Sequence, residues 1–246
     1  MQKLDLKIIN GTIANSTETF CSDIGIKDGI IVAIGKEIGD SEKIIDAKDQ
    51  LVLPGGIEAH CHIEQESSSG IMTSDDYYSG SVSAAFGGNT CIIPFAAQHR
   101  GQNLHDVLDL YHGRAEPKSV IDYSFHLIIS DPTENVIKNE LPDVIEQGIT
   151  SFKVYMTYDK LIVNDEQMLE IMAAAKKHGA LTMIHAENNA MINWMSEKLI
   201  KGDHKEPKFQ SSLPQILPTH DRALLEKELS DHSLALDAGG DRPAAP

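Results

Sequence analysis

The stretch Leu51-Val52-Leu53-Pro54-Gly55-Gly56-Ile57-Glu58-Ala59-His60-Cys61-His62 decides how the rest of this chain is read. Its apolar run reads as a buried strand over Leu51–His62. Residues two apart in a strand point to the same side, so the imidazoles of His60 and His62 project together from its C-terminal end. Cys61 falls on the opposite face and reads as packing. Imidazole is the commonest metal-binding side chain, and two of them converging at one strand end make half of a metal site. A pair of solvated histidines would satisfy the same spacing, so the weight falls on the residues that follow.

Downstream, strand and helix alternate. Strands are expected at Thr90–Phe95, Ile121–Ile129, Ser151–Met156 and Leu181–Ala186. Helices are expected near Ser74–Phe86, Asn103–Arg114, Glu140–Gln147, Asp165–His178 and Asn188–Ile200. Asn164 or Asp165 suits the N-cap of the fourth helix, and Gly179 its stop. Alternation at this spacing predicts an α/β fold, a parallel sheet with crossover helices, with functional residues at the C-terminal ends of strands. Upstream, Leu6-Lys7-Ile8-Ile9, Ile24-Gly25-Ile26 and Ile30-Ile31-Val32-Ala33-Ile34 are short strands punctuated by Asn10-Gly11 and Asp28-Gly29, which are hairpin signals. Residues 1–50 therefore read as a small β domain.

Ligand-type residues recur at the strand ends. Lys153 lies inside the apolar strand Ser151-Phe152-Lys153-Val154-Tyr155-Met156, and His185 closes Leu181-Thr182-Met183-Ile184-His185-Ala186. A buried ammonium is costly unless it is paired or deprotonated. Burial near metal ions depresses the pKa of a lysine, and the neutral amine can take up carbon dioxide as a carbamate whose two oxygens can bridge two divalent cations. A strand-end lysine reaching solvent and a satisfied core histidine are the plainer readings of each residue alone. Their joint occurrence with the histidine pair favours the metal site.

Composition narrows the class. The chain has 246 residues, 41% of them hydrophobic and 5% aromatic, so a sizeable aliphatic core is available. With 21 basic against 37 acidic residues the formal charge is −16, which argues against nucleic acid or an anionic membrane as partner. The three cysteines, Cys21, Cys61 and Cys91, form no C-x-x-C pair and no disulfide framework. No run has signal-peptide or membrane-spanning character, and a reducing cytoplasm fits these features.

At this level the chain resembles the dihydropyrimidinase and hydantoinase branch of the amidohydrolase superfamily. Leu53–His62 is similar to its first metal motif, Gly148–Tyr158 to its carboxylated-lysine strand, and Ile184-His185-Ala186-Glu187-Asn188 to its third motif. Ile9-Asn10-Gly11-Thr12-Ile13 is similar to part of its small β domain. The resemblance implies an incomplete TIM-like (β/α) metal-dependent hydrolase barrel over residues 51–212, behind the N-terminal β domain. It implies two zinc ions, with His60 and His62 on the more buried ion, carboxylated Lys153 bridging both, and His185 on the outer ion. A metal-bridging hydroxide would open a cyclic amide or ureide, the chemistry of pyrimidine catabolism, and Tyr158 would donate a hydrogen bond to the developing oxyanion. The substrate is then a small cyclic amide, and the full-length family form is expected to be a homo-oligomer, a tetramer.

Two departures from the family pattern stand out. Glu58 replaces the usual aspartate. The family also runs to roughly twice this length, with a further histidine ligand and a proton-shuttling aspartate. Residues 213–246 are expected to be a non-family tail, helical over Asp221–Leu236 and linker-like beyond, from a truncated or frameshifted gene. His220 and His232 are not carried over as ligands. The chain alone is expected to be impaired and marginally folded, since five strands cannot close an eight-stranded barrel. Dihydroorotase is the nearest rival activity, but it usually has an arginine where this chain has Glu64, whose charge is expected to repel an anionic substrate. An allantoinase-like hydrolase and a non-catalytic fragment or interaction module of the same fold are the remaining readings.

Overall fold

The computed structural model describes residues 3–67 and 70–202, together with the backbone of 235–237. The chain divides into two compact units, Met1–Gly56 and Ile57–Pro246.

The first unit is all β. Strands β1 (Leu4–Ile9), β2 (Thr12–Ala14), β3 (Thr19–Cys21), β4 (Asp23–Lys27), β5 (Ile30–Gly35), β6 (Ser41–Asp46) and β7 (Leu51–Val52) form two sheets, ordered β5-β4-β1-β6 and β3-β2-β7. The β4–β5 hairpin turns through Asp28 and Gly29, at φ 52° and 76°. Two successive residues at positive φ give a turn whose twist matches the flanking strands, which is why Asp-Gly signals it. The Asp5 carboxylate accepts from Lys27 Nζ and from the Asp28 backbone N–H, fixing the turn to β1.

The second unit alternates. Its elements are β8 (Gly56–Cys61), α1 (Tyr77–Phe86), β9 (Asn89–Ala97), α2 (Leu104–Ala115), β10 (Asp122–Tyr123) and β11 (His126–Ile128). A π-helical turn (Val136–Glu140) then leads into α3 (Leu141–Glu146), followed by β12 (Ser151–Tyr155), α4 (Asp165–His178), β13 (Leu181–His185), α5 (Asn189–Lys201) and β14 (Ala235–Asp237). The sheet order is β10-β9-β11-β12-β13-β14, with β8 also on β9. The pairs β9/β11, β11/β12, β12/β13 and β13/β14 are all parallel. This is the expected α/β parallel sheet, part of a (β/α) barrel.

Period-two alternation gives the sheet two buried faces. Leu127, Phe152, Val154 and Ile184 pack under the helices against Leu104, Val107, Leu141 and Ile171. Phe95, Ala97, Ile128, Tyr155 and Met183 form a second cluster on the opposite face. Lys153 and His185 belong by alternation to that second face.

Four expectations are corrected. Leu51–His62 is not one buried strand. Leu51–Val52 pairs with β2, and the ladder stops at Leu53-Pro54-Gly55 before β8 begins. Pro54 has no N–H to give a ladder. Leu51 and Leu53 are exposed, and so is Ile57 on β8, which pairs only with β9 among the described residues and so lies at an edge. The strand expected at Ile121–Ile129 is split into β10 and β11. The third helix begins earlier than expected, at the π-turn. Pro142 cannot donate to the carbonyl four residues back, and the wider turn precedes it. Finally, most of the stretch Asp221–Leu236 lies outside the described residues, but Ala235–Asp237 is strand, not helix, lying along β13 with His185 opposite Asp237. The open edge of β13 offers backbone groups to pair, and Ala235–Asp237 takes that place.

The fourth helix follows its local sequence. Asn164 caps α4 in a reciprocal capping box with Gln167, and Gly179 ends it at φ 77°.

Candidate metal and active site

Burial singles out Lys153. It is 1% exposed, in the middle of β12, flanked in the sheet by Ile128 and Met183. Its Nζ lies 5.5 Å from the centre of the Phe95 ring and 5.3 Å from that of Tyr155. These two rings belong to two different histidine groups.

The first group surrounds Phe95, fully buried at 0% exposure. The His62 ring stacks on it at 4.8 Å, and the His60 ring meets it edge-on at 5.1 Å. The two imidazole centres are 5.9 Å apart. With a Zn–N bond of about 2.1 Å and tetrahedral angles, two imidazole centres on one zinc lie about 5.3 Å apart, so the observed spacing is somewhat wider than, but near, that of a pair sharing an ion. His62 Nδ1 is 2.7 Å from the side-chain oxygen of Gln65, itself buried. An amide oxygen only accepts, so Nδ1 carries the proton and Nε2 the lone pair, the tautomer a ligand needs. Glu58, the departure from the family pattern, accepts the His60 backbone N–H at 2.8 Å. This carboxylate thus anchors the backbone of His60.

The second group is His185 with two tyrosines. Its ring stacks on Tyr155 at 5.4 Å and lies 5.2 Å from Tyr158. Nε2 of His185 donates to the Glu187 carboxylate at 2.7 Å, which leaves the lone pair on Nδ1. Tyr158 is 46% exposed and sits at φ 68°, a left-handed conformation costly for a tyrosine. Its carbonyl accepts from both Leu161 N and Ile162 N, and this holds the turn.

Lys153 therefore stands between the histidine pair and His185. Among the described residues, no three His, Cys, Asp or Glu side chains converge on one point. The donor set fits a bridged site only if the lysine itself supplies the anionic link. Burial, with Glu58 nearby, pushes the Cys61 thiol up to about 12.

One site residue escaped the sequence reading. His126 is 7% exposed. Its Nε2 donates to the Ala59 carbonyl at 2.9 Å, and Nδ1 accepts from the Ser151 hydroxyl. Burial lowers its pKa, partly opposed by the bond to Ala59, with His60 and Lys153 adding to the lowering. The signal was there: His126 interrupts the apolar run Phe125–Ile129 as Lys153 interrupts its own.

Glu64 corrects another expectation. Its carboxylate is held by Lys118 and accepts the Tyr77 N–H at 3.2 Å, while Arg114 donates to its backbone carbonyl at 2.8 Å. The charge is neutralised between the starts of α1 and the region after α2, so it does not act as the expected repulsive charge toward an anionic substrate.

The sequence profile of the amidohydrolase family matches residues 51–229. A D-hydantoinase of Geobacillus stearothermophilus is 42% identical over 207 residues, covering 83% of this chain and 44% of the relative. A dihydropyrimidinase of Dictyostelium discoideum is 38% identical over 197 residues, covering 79% and 39%. A solved D-hydantoinase structure superimposes with a TM-score of 0.81 at 39% identity, covering 84% of this chain and 45% of its own. The chain spans less than half the length of these relatives.

Proposed function

We propose, because the chain belongs to the amidohydrolase family, that it carries the N-terminal half of a zinc-dependent hydrolase that opens neutral cyclic amides and ureides of the dihydropyrimidine or hydantoin type. The carrying observation is Lys153: an amine only 1% exposed, placed between two histidine groups. Its neutral form can add carbon dioxide, forming the N–C bond and releasing one proton, to leave a carbamate with two anionic oxygens. In this reading His60 and His62 would hold one zinc ion, the His62 tautomer being set by Gln65. His185, with its lone pair on Nδ1, would hold the second.

When bound, the ions supply a water made nucleophilic near neutral pH and polarise the substrate carbonyl. The chain's own residues do the rest. Glu187 fixes the His185 tautomer, Phe95 and Tyr155 exclude water around Lys153, and the Tyr158 hydroxyl donates to the carbonyl oxygen as it gains charge. The strained backbone of Tyr158 holds that hydroxyl near His185. Among the described residues no helix is long and apolar enough to cross a membrane, and we place the protein in the cytoplasm, where a reducing setting keeps Cys21, Cys61 and Cys91 free. The family's full-length form is read as a tetramer.

The test is direct. The 246-residue chain is purified with zinc and bicarbonate, and metal content, the carbamate carbon signal by 13C NMR, and ring opening of dihydrouracil and phenylhydantoin are measured. A carbamate signal with bound zinc supports the reading, whatever the turnover. A lysine with no carbamate and no zinc at saturating metal would sink it. Turnover by the chain alone is expected to be slow, because the described residues bring no third His, Cys, Asp or Glu to either ion.

A further inference from the structure

We infer that His126 is a positioning residue for the histidine pair, setting the backbone from which His60 and His62 project. This rests on the metal-site reading only for what the pair binds, and not for the brace itself.

The geometry has three parts. His126 is on β11, yet its Nε2 reaches the Ala59 carbonyl on β8, although β9 pairs with both strands. It thus ties the first strand of the barrel to the third across their shared neighbour. The carbonyl it holds belongs to the peptide that joins Ala59 to His60, so the bond fixes the plane from which the His60 Cα departs. Second, the Ala59 carbonyl only accepts, so Nε2 carries the proton and Nδ1 of the neutral ring accepts from the Ser151 hydroxyl on β12; the brace has one tautomer. Third, the His126 ring lies against Phe95 at 5.2 Å, and Phe95 in turn packs on both His60 and His62. Backbone and ring contacts therefore converge on the same two side chains from below.

β8 needs such a tie. Among the described residues it pairs with β9 alone, and Ile57 is 63% exposed. An edge strand that ends in two ligands has little else to fix its direction. Removing partners that orient metal ligands typically costs about 10–100-fold in metal affinity, even though they never touch the ion.

The experiment compares the wild-type chain with His126→Phe, which keeps the ring but loses both nitrogens, and His126→Gln, whose amide N–H can still reach a carbonyl. Zinc affinity is read by competition with a chelating dye. In parallel, 1H–15N imidazole spectra of metal-free protein report the His60 and His62 rings, and thermal melts report folding. The expected result is a zinc affinity about 10–100-fold weaker in His126→Phe, displaced His60 and His62 ring signals, and recovery of most of both in His126→Gln. A folded His126→Phe with unchanged affinity and unchanged ring signals would overturn the inference. So would a His126→Gln that is equally weak while equally stable, which would mean the ring only fills space. If the wild-type chain takes up no zinc, the metal-site reading fails, and the ring signals of the metal-free proteins still decide the brace. If His126→Phe does not fold, Ser151→Ala, which removes only the hydroxyl that holds the other ring nitrogen in place, is read the same way. A smaller displacement of the His60 signals supports the brace, and none overturns it.

Discussion

Lys118 Nζ lies 2.8 Å from one oxygen of the Glu64 carboxylate and 2.9 Å from the other. Glu64 sits two residues after His62, where sequence alone suggested a charge facing the substrate. In the fold that charge is paired with Lys118, just beyond α2, beside the start of α1. Glu64→Ala should therefore lower the melting temperature by a few degrees, and Lys118→Ala should do much of the same. A double-mutant cycle should show clear coupling, since the two share the bond. The preference between dihydrouracil and dihydroorotate should stay as it was. A Glu64→Ala chain that gained dihydroorotate hydrolysis without loss of stability would restore the substrate-facing reading.

Lys153 separates function from stability. Its Nζ lies near two aromatic rings, and burying a cation is costly where an apolar side chain of similar volume would fit. Lys153→Met should leave the thermal midpoint unchanged or raise it, while abolishing the carbamate signal and most zinc binding. Retained binding of two zinc ions by Lys153→Met, measured by elemental analysis, would rule out the bridging role.

Acid should weaken the fold through His126. Its pKa is lowered in the folded chain, chiefly by burial, so the unfolded chain binds the proton more readily. Its contribution is complete above the unfolded value of about 6.5, and is lost as pH falls from there through the lowered folded value. Melting temperatures taken from pH 8 to pH 5 should fall below about pH 6.5, and less steeply in His126→Gln. Equal slopes in the two proteins would remove His126 as the cause.

Tyr158 joins a strained backbone to the oxyanion role proposed for it. At φ 68° a glycine would be relaxed, so Tyr158→Gly should cost little stability or add up to about 1 kcal/mol. Ring opening should drop by about 10²–10³ in Tyr158→Phe, the usual loss for one oxyanion donor, with KM much less affected. An unaltered kcat in Tyr158→Phe, measured in an active full-length form, would refute the assigned role.

Much of this protein was written in its local sequence. The α4 cap at Asn164 and its stop at Gly179, the Asp28-Gly29 hairpin, and the alternation that buries both faces of β12 follow from short-range rules of φ, capping and side-chain period. The interruption of one apolar strand by Lys153 and the ending of another on His185 marked the same face before any contact was known. Tertiary structure decided what those rules cannot reach. Whether Leu51–His62 is one buried strand depended on where Leu51–Val52 found a partner, and β2 took it. Whether Glu64 faces substrate depended on Lys118, 54 residues away in sequence. The brace from His126 to Ala59 spans 67 residues. Period and propensity act over a few residues, whereas a hydrogen bond between strands depends on which side chains the folded sheet brings within 3 Å or so of each other.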